Sequence, residues 1–256
     1  MYKVAFFDID GTLVSFKTHE VPESTWRAID QLRAQGIKVV ICTGRGLNET
    51  PDFLRTGFDA YVTLSGQHCF DDAGVYRSAP IAETDVCTIY DQVQSGLYDA
   101  ICTQADGSFA NKKTPKIREI EERVNLHYPL AEDFGKTLRA PVYQFCAFVE
   151  AEDEHLITDA CASVTTTRWT HLFCDVVPAD GGKDKGVEAT LARFGATRDE
   201  AICFGDGEND LPMFSACGTA VAMGNAWDSV KAAADYVTVD VDSDGIFSAC
   251  RHFGLV

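Results

Sequence analysis

The sequence predicts an α/β protein, a parallel-sheet core interrupted by an α+β insertion, and three observations carry that prediction. Short apolar runs read as fully buried strands and end in polar loops: VAFF before Asp8, IKVVIC before Thr43 and AICF before Gly205. An amphipathic helical stretch separates the first two runs, which makes a strand, helix, strand unit. Between residues 81 and 182 the pattern changes, and helix-like stretches alternate with strand-like ones.

Taken in order, the first strand leads straight into Asp8-Ile-Asp10-Gly11. Residues 22–35 read as a helix: Pro22 suits the first turn, Trp26, Ile29 and Leu32 fall at helical spacing, and Gly36 suits the C-terminal cap. Residues 37–42 form the second strand, residues 60–64 a third, and residues 65–74 a hairpin region punctuated by Gly and Asp. Inside the insertion, helices are expected near 83–95, 115–125 and 152–162, and strands at 100–103, 142–149, 165–169 and 173–178. The core resumes with Lys183 and a helix through Val187, Leu191 and Phe194 that stops at Gly195. A buried strand at 201–204, a strand at 220–223, a helix at 226–234, a strand at 236–239 and a helix toward His252 complete the chain. The expected division is therefore a core of 1–80 and 183–256 and an insertion of 81–182.

At 256 residues and 46% apolar composition the chain can bury a substantial core. Its formal charge of −17 argues against nucleic acid or an anionic membrane as a main partner, because both demand a basic patch. The N-terminal segment shows no signal-peptide pattern, and no apolar run approaches the length of a membrane span, so a cytoplasmic location is expected. The 10 cysteines are scattered from Cys42 to Cys250 without a CxxC pair and often sit in apolar runs, which predicts buried reduced thiols.

Chemistry concentrates at the strand ends, where ligand crevices of open α/β sheets lie. Asp8 follows an apolar strand; beside metal and phosphate, such a carboxylate can attack phosphorus, and a second carboxylate two residues on, Asp10, can manage protons. Thr43 offers a hydroxyl and Gly44 a closely approachable N–H, together able to bind phosphoryl oxygens. Gly205-Asp-Gly-Glu-Asn-Asp210 supplies carboxylates after another buried strand, and magnesium wants oxygen ligands of this kind. A chain of net negative charge that handles phosphates must reverse the sign locally, with a divalent cation and a placed lysine.

FFDIDGTLV resembles the first motif of the haloacid dehalogenase-like phosphohydrolases, whose first Asp is the nucleophile and second the general acid/base. Four motifs follow the family's order, and the long insertion between the second and third resembles the Cof-type, class IIB branch. The resemblance implies a doubly wound, Rossmann-like core with an α+β cap. It also implies a magnesium-dependent phosphatase acting on a small phosphorylated metabolite, a sugar phosphate or similar phosphomonoester, through an aspartyl-phosphate intermediate. On that basis Asp8 and Asp10 are catalytic, Thr43, Gly44, Lys183 and Asn209 bind phosphate or substrate, and Asp8, Asp10, Asp206 and Asp210 form the Mg2+ site. Lys183 is preferred over Lys185 because its spacing to the acidic motif is similar to the family's, although the common Lys-Gly dipeptide occurs only at Lys185-Gly186. Arg45 reads as structural or as part of the cap edge. A phosphomutase of the same superfamily and a receiver-like phospho-aspartate signalling protein are the alternative functions.

Two decoys are set aside. Asp240-Val-Asp-Ser-Asp-Gly245 opens like a calcium-binding loop, but Arg251 stands where the twelfth position needs Glu, and the run from Asp8 has His19 there.

Overall fold

The computed structural model describes residues 1–124, 126–168 and 170–256. Asn125 and Trp169, the last positions of the helix expected at 115–125 and the strand expected at 165–169, lie outside the described residues. The chain divides into two compact units: Met1–Arg45, Asp52–Ser78 and Gly182–Val256 form the first, Gly46–Pro51 and Ala79–Gly181 the second.

Along the chain the first unit contributes strands β1 (Val4–Phe7), β2 (Lys38–Cys42), β3 (Ala60–Thr63), β4 (His68–Asp71) and β5 (Gly74–Ser78). The second contributes β6 (Ala100–Gln104), β7 (Gly107–Ala110), β8 (Val142–Ala147), β9 (Val164–Thr167) and β10 (Cys174–Pro178), and the first unit closes with β11 (Ala201–Gly205), β12 (Thr219–Ala222) and β13 (Tyr236–Val237). The helices are α1 (Glu23–Ala34), α2 (Glu83–Gln94), α3 (Pro115–Val124), α4 (His155–Thr158), α5 (Lys183–Phe194), α6 (Leu211–Ala216), α7 (Asp228–Ala233) and α8 (Gly245–His252).

The first unit is a doubly wound α/β sheet in the order β13-β12-β11-β1-β2-β3-β4-β5, parallel from β13 to β3, with β4 and β5 antiparallel at one edge. Because β1 is central, its side chains are buried on both faces, which is why VAFF carries no polar alternation. Phe6 packs with Val40, Cys42 and Cys203 against Val187 and Leu191 of α5. Phe7 points the other way and stacks on Phe204 of β11, ring centroids 4.7 Å apart and 7° from parallel. That pair sits at the Phe7–Phe204 register point, so the loops after β1 and β11 leave the sheet side by side. Burial of each ring contributes roughly 1.5–3 kcal/mol. Helix α1 closes as its sequence suggests, with Gly36 N–H bonded to Arg33 O and Ile37 N–H to Leu32 O.

The second unit is an antiparallel sheet, β7-β6-β8-β10-β9, apolar on both faces. Ala100 and Cys102 of β6 pack with Val86, Ile89 and Val93 of α2, whereas Ile101 between them packs with Ile117 and Ile120 of α3, the period-2 alternation of a strand covered twice.

Two local expectations are corrected, and one strand is added. The helix expected at 152–162 reduces to a 3-10 turn at Ala151–Asp153 and the short α4, and at the far end of the expected span the Ala162 and Ser163 amides bond the Asp85 carboxylate instead of a helical carbonyl. β7 was not anticipated; its sequence Gly-Ser-Phe-Ala offers one large apolar residue and no readable period. β3 stops at Thr63, since Leu64 and Ser65 turn with positive φ. All the cysteines are free thiols, and all but Cys87 are buried. Among the described residues no helix is long and apolar enough to cross a membrane.

Candidate active site

The site residues predicted from the sequence all lie in the first unit, on the loops that leave β1, β2 and β11 and at the start of α5. Asp8 continues the β1 ladder, its N–H bonded to Phe204 O at 3.1 Å, so its buried carboxyl group projects from the C-terminal edge of the sheet. The chain then reverses through Gly11, whose φ of +79° only glycine adopts without strain. A Cβ there would stand 2.2 Å from Asp206 Oδ2, so the β1 loop and the β11 loop touch through the missing side chain.

Lys183 opens α5 and is 1% exposed, with its Nζ donating at 2.6 Å to both Asp8 Oδ1 and Asp210 Oδ1. Lys185, by contrast, is only half-buried and pairs with Glu188 and Asp184, away from the acidic cluster. Asp210 is wholly buried: Oδ1 takes the lysine, and Oδ2 accepts the N–H groups of Asp206 at 3.0 Å and Gly207 at 3.1 Å. Asp210 thereby folds the β11 loop back on itself and aims Asp206. Asp8, Asp206 and Asp210 each place a carboxylate oxygen within 4.8 Å of the other two, a hard-oxygen set suited to a divalent cation.

The electrostatics agree with an unneutralised cluster. Burial pushes the Asp8 carboxyl well above its ordinary range; Lys183 opposes this, while Asp210, Asp206 and Asp10 add to it. Burial and then the Asp210 carboxylate push Asp206 up to about 7. Burial alone would depress the Lys183 ammonium, but Asp210 and Asp8 outweigh it and hold the group above its usual value. One buried cation thus faces three buried acids, and the remaining charge is what a divalent ion would relieve.

Thr43 is buried at the end of β2, and its Oγ1 accepts the Arg45 N–H at 3.2 Å, which leaves the hydroxyl hydrogen to donate elsewhere. Gly44 lies between the Ser65 hydroxyl and the Asn209 amide, 3.4 and 3.8 Å from where a Cβ on Gly44 would stand. Asn209 itself is exposed, and among the described residues the Lys183 hydrogen bonds go to the two aspartates rather than to it. The Asp10 carboxylate stands outside the acidic cluster. Its two oxygens accept from Arg45 Nε and Nη2 at 2.7 Å each, a bidentate fork.

Three participants escaped the sequence reading. Arg45, read as structural, fixes the orientation of Asp10. Thr12 donates to Asp206 Oδ1 at 3.3 Å from within the first motif. Asn225 donates to Gly11 O at 2.8 Å and to Asp206 Oδ2 at 3.2 Å and accepts the Val241 N–H, tying three loops together. The signal for Asn225 was available: a Gly-Asn turn directly after an apolar strand, at the sheet edge that carries the other motifs.

Comparison with known proteins agrees with this geometry. Residues 5–249 match the family model described as haloacid dehalogenase-like hydrolase. The chain is 32% identical to the "Putative phosphatase YkrA" of Bacillus subtilis (strain 168), over 99% of this chain and 98% of that one. Among solved structures it is similar to the phosphatase BT1666 from Bacteroides thetaiotaomicron, with a TM-score of 0.91 and 32% identity over 100% of this chain and 96% of that one. It is also similar to BT4131, a sugar phosphatase of the superfamily's subclass IIB, with a TM-score of 0.86 and 32% identity over 99% of this chain and 100% of that one. The chain belongs to the haloacid dehalogenase-like hydrolases and stands among their phosphatases.

Proposed function

We propose that the protein is a magnesium-dependent phosphatase that hydrolyses a small phosphorylated metabolite, a sugar phosphate or similar phosphomonoester, through an aspartyl-phosphate on Asp8. The observation that carries this reading is the buried convergence of Asp8, Asp206 and Asp210, two of them bonded to the Lys183 ammonium. The likeness to a sugar phosphatase supports the substrate class. A bound divalent cation supplies the positive charge that lets a phosphate dianion approach these carboxylates.

In this mechanism Lys183 holds Oδ1 of Asp8, and Oδ2, which has no hydrogen bond among the described residues, carries the lone pair that attacks phosphorus. The new Asp8 O–P bond forms as the bond from phosphorus to the leaving oxygen breaks, and Asp10 gives its proton to that oxygen. Water then attacks phosphorus, the Asp8 O–P bond breaks, and Asp10 takes the water's proton, which releases orthophosphate and restores both acids. The Thr43 hydroxyl, the Gly44 N–H, Lys183 and Asn209 hold the phosphoryl oxygens. The backbone oxygen of Asp10, with Asp8, Asp206 and the supporting Asp210, would hold the magnesium ion. The second unit selects the leaving group, since its chain departs after β5 and returns directly before Lys183.

A panel of phosphorylated metabolites tests the proposal. Turnover of phosphomonoesters with magnesium, lost in EDTA and restored by magnesium, is expected. No turnover of any phosphomonoester, or full turnover in metal-free buffer, contradicts it.

A further inference from the structure

The turn that follows β3 is strained and is clamped between the two phosphate-site elements. Leu64 and Ser65 have φ of 51° and 53°, in the left-handed region that neither residue type favours, and Gly66 follows at 90°. Leu64 is 2% exposed, so its side chain does not escape the strain by turning to solvent. On one side, Ser65 N–H bonds Thr43 O and Leu64 N–H bonds Arg45 O, both at 3.0 Å, fastening the turn to the loop after β2. On the other, a Cβ on Gly66 would stand 2.1 Å from Gly182 O and 3.1 Å from Gly186 N, so the turn lies hard against the start of α5, where Lys183 resides. Strain of this kind persists only where surrounding contacts impose it, and it points to a placement that matters.

What the strain places is the Ser65 hydroxyl. It borders Gly44 together with Asn209 and, among the described residues, forms no hydrogen bond, although Ser65 is half-buried. We propose that Ser65 is a substrate-binding residue whose hydroxyl donates a hydrogen bond to a phosphoryl oxygen of the bound phosphomonoester, beside Thr43 and Gly44. This rests on the phosphatase reading above. A merely structural Ser65 is a poor account, because Gly would satisfy the same backbone without strain.

The test uses the full chain with saturating magnesium and orthophosphate as the probe, measured as competitive inhibition of p-nitrophenyl phosphate hydrolysis, alongside melting temperature. Ser65→Ala is expected to raise the orthophosphate inhibition constant and KM by about tenfold or more, the loss of one hydrogen bond to a charged group. Ser65→Gly should weaken orthophosphate binding equally while raising Tm by roughly 2–4 °C, because relief of the positive φ and loss of the hydroxyl separate there. Thr43→Ala is the control for the site. If Thr43→Ala weakens orthophosphate binding and both Ser65 variants stay within twofold of wild type, the Ser65 assignment is overturned while the phosphatase reading stands. If the wild type with magnesium hydrolyses no p-nitrophenyl phosphate at all, the phosphatase reading itself falls and takes the proposal with it.

Discussion

Asp206→Asn isolates the charge problem at the centre of the site. In the native chain burial and Asp210 raise the Asp206 carboxyl from 3.8 to about 7. A carboxyl raised on folding binds its proton more tightly in the native state than in the unfolded one. Its contribution to stability is therefore present at low pH, falls as pH rises from about 4 to about 7, and stays lost above that window. The full shift corresponds to about 4 kcal/mol at pH 8, an upper bound for the metal-free protein. An asparagine fits the same contacts: its oxygen can accept from Asn225 Nδ2, and its amide can donate to Thr12 Oγ1, whose hydrogen rotates away. In EDTA at pH 8 the variant should then melt on the order of 10 °C above wild type, and the difference should shrink toward pH 5. Magnesium should raise Tm of the wild type at pH 8 and leave the variant nearly unmoved. A variant less stable than wild type in EDTA at every pH, or one stabilised by magnesium to the same extent, would refute the reasoning.

Further outcomes follow from the same geometry. Asp10→Asn should slow phosphoryl transfer from alkyl phosphates by about 10²–10⁴-fold but affect p-nitrophenyl phosphate much less, because that leaving group needs little protonation; equal single-turnover losses would count against Asp10 as the acid. Gly11→Ala places a Cβ 2.2 Å from Asp206 Oδ2 at a φ of +79°, so both Tm and the apparent magnesium affinity should fall; a variant unchanged in both would show that the two loops are not in close contact. Replacing residues 79–181 with a short linker should, in a folded product, keep slow hydrolysis of p-nitrophenyl phosphate and lose discrimination among metabolites. Unchanged preference would remove the second unit from substrate selection.

The parts of the site that were legible in the sequence share one physical origin. A central parallel strand is buried on both faces and must be apolar throughout, so VAFF, KVVIC and AICF announce themselves, and the acids and Thr43 that follow lie at one edge of the sheet. Lys183 was nameable only through its spacing, since a lysine at a helix start is ordinarily solvated and its burial depends on two acids far away in sequence. The Arg45 fork and the Asn225 bridge are contacts between residues 35 and 19 positions apart, and no local pattern encodes them. The shortened helix near residue 155 belongs with these, because Asp85, the group that takes the Ala162 amide out of a helical ladder, is 77 positions upstream of it.

In the proposed reaction phosphorus passes through a covalent bond to Asp8. Rapid quenching during turnover of a radiolabelled phosphomonoester, followed by borohydride reduction of the acyl phosphate and peptide mapping, reads that bond directly. Label on the wild-type chain during turnover is expected, with conversion of Asp8, and of no other acid, to homoserine. Turnover that proceeds with no covalent label, or with the reduced acid at any other position, would contradict it.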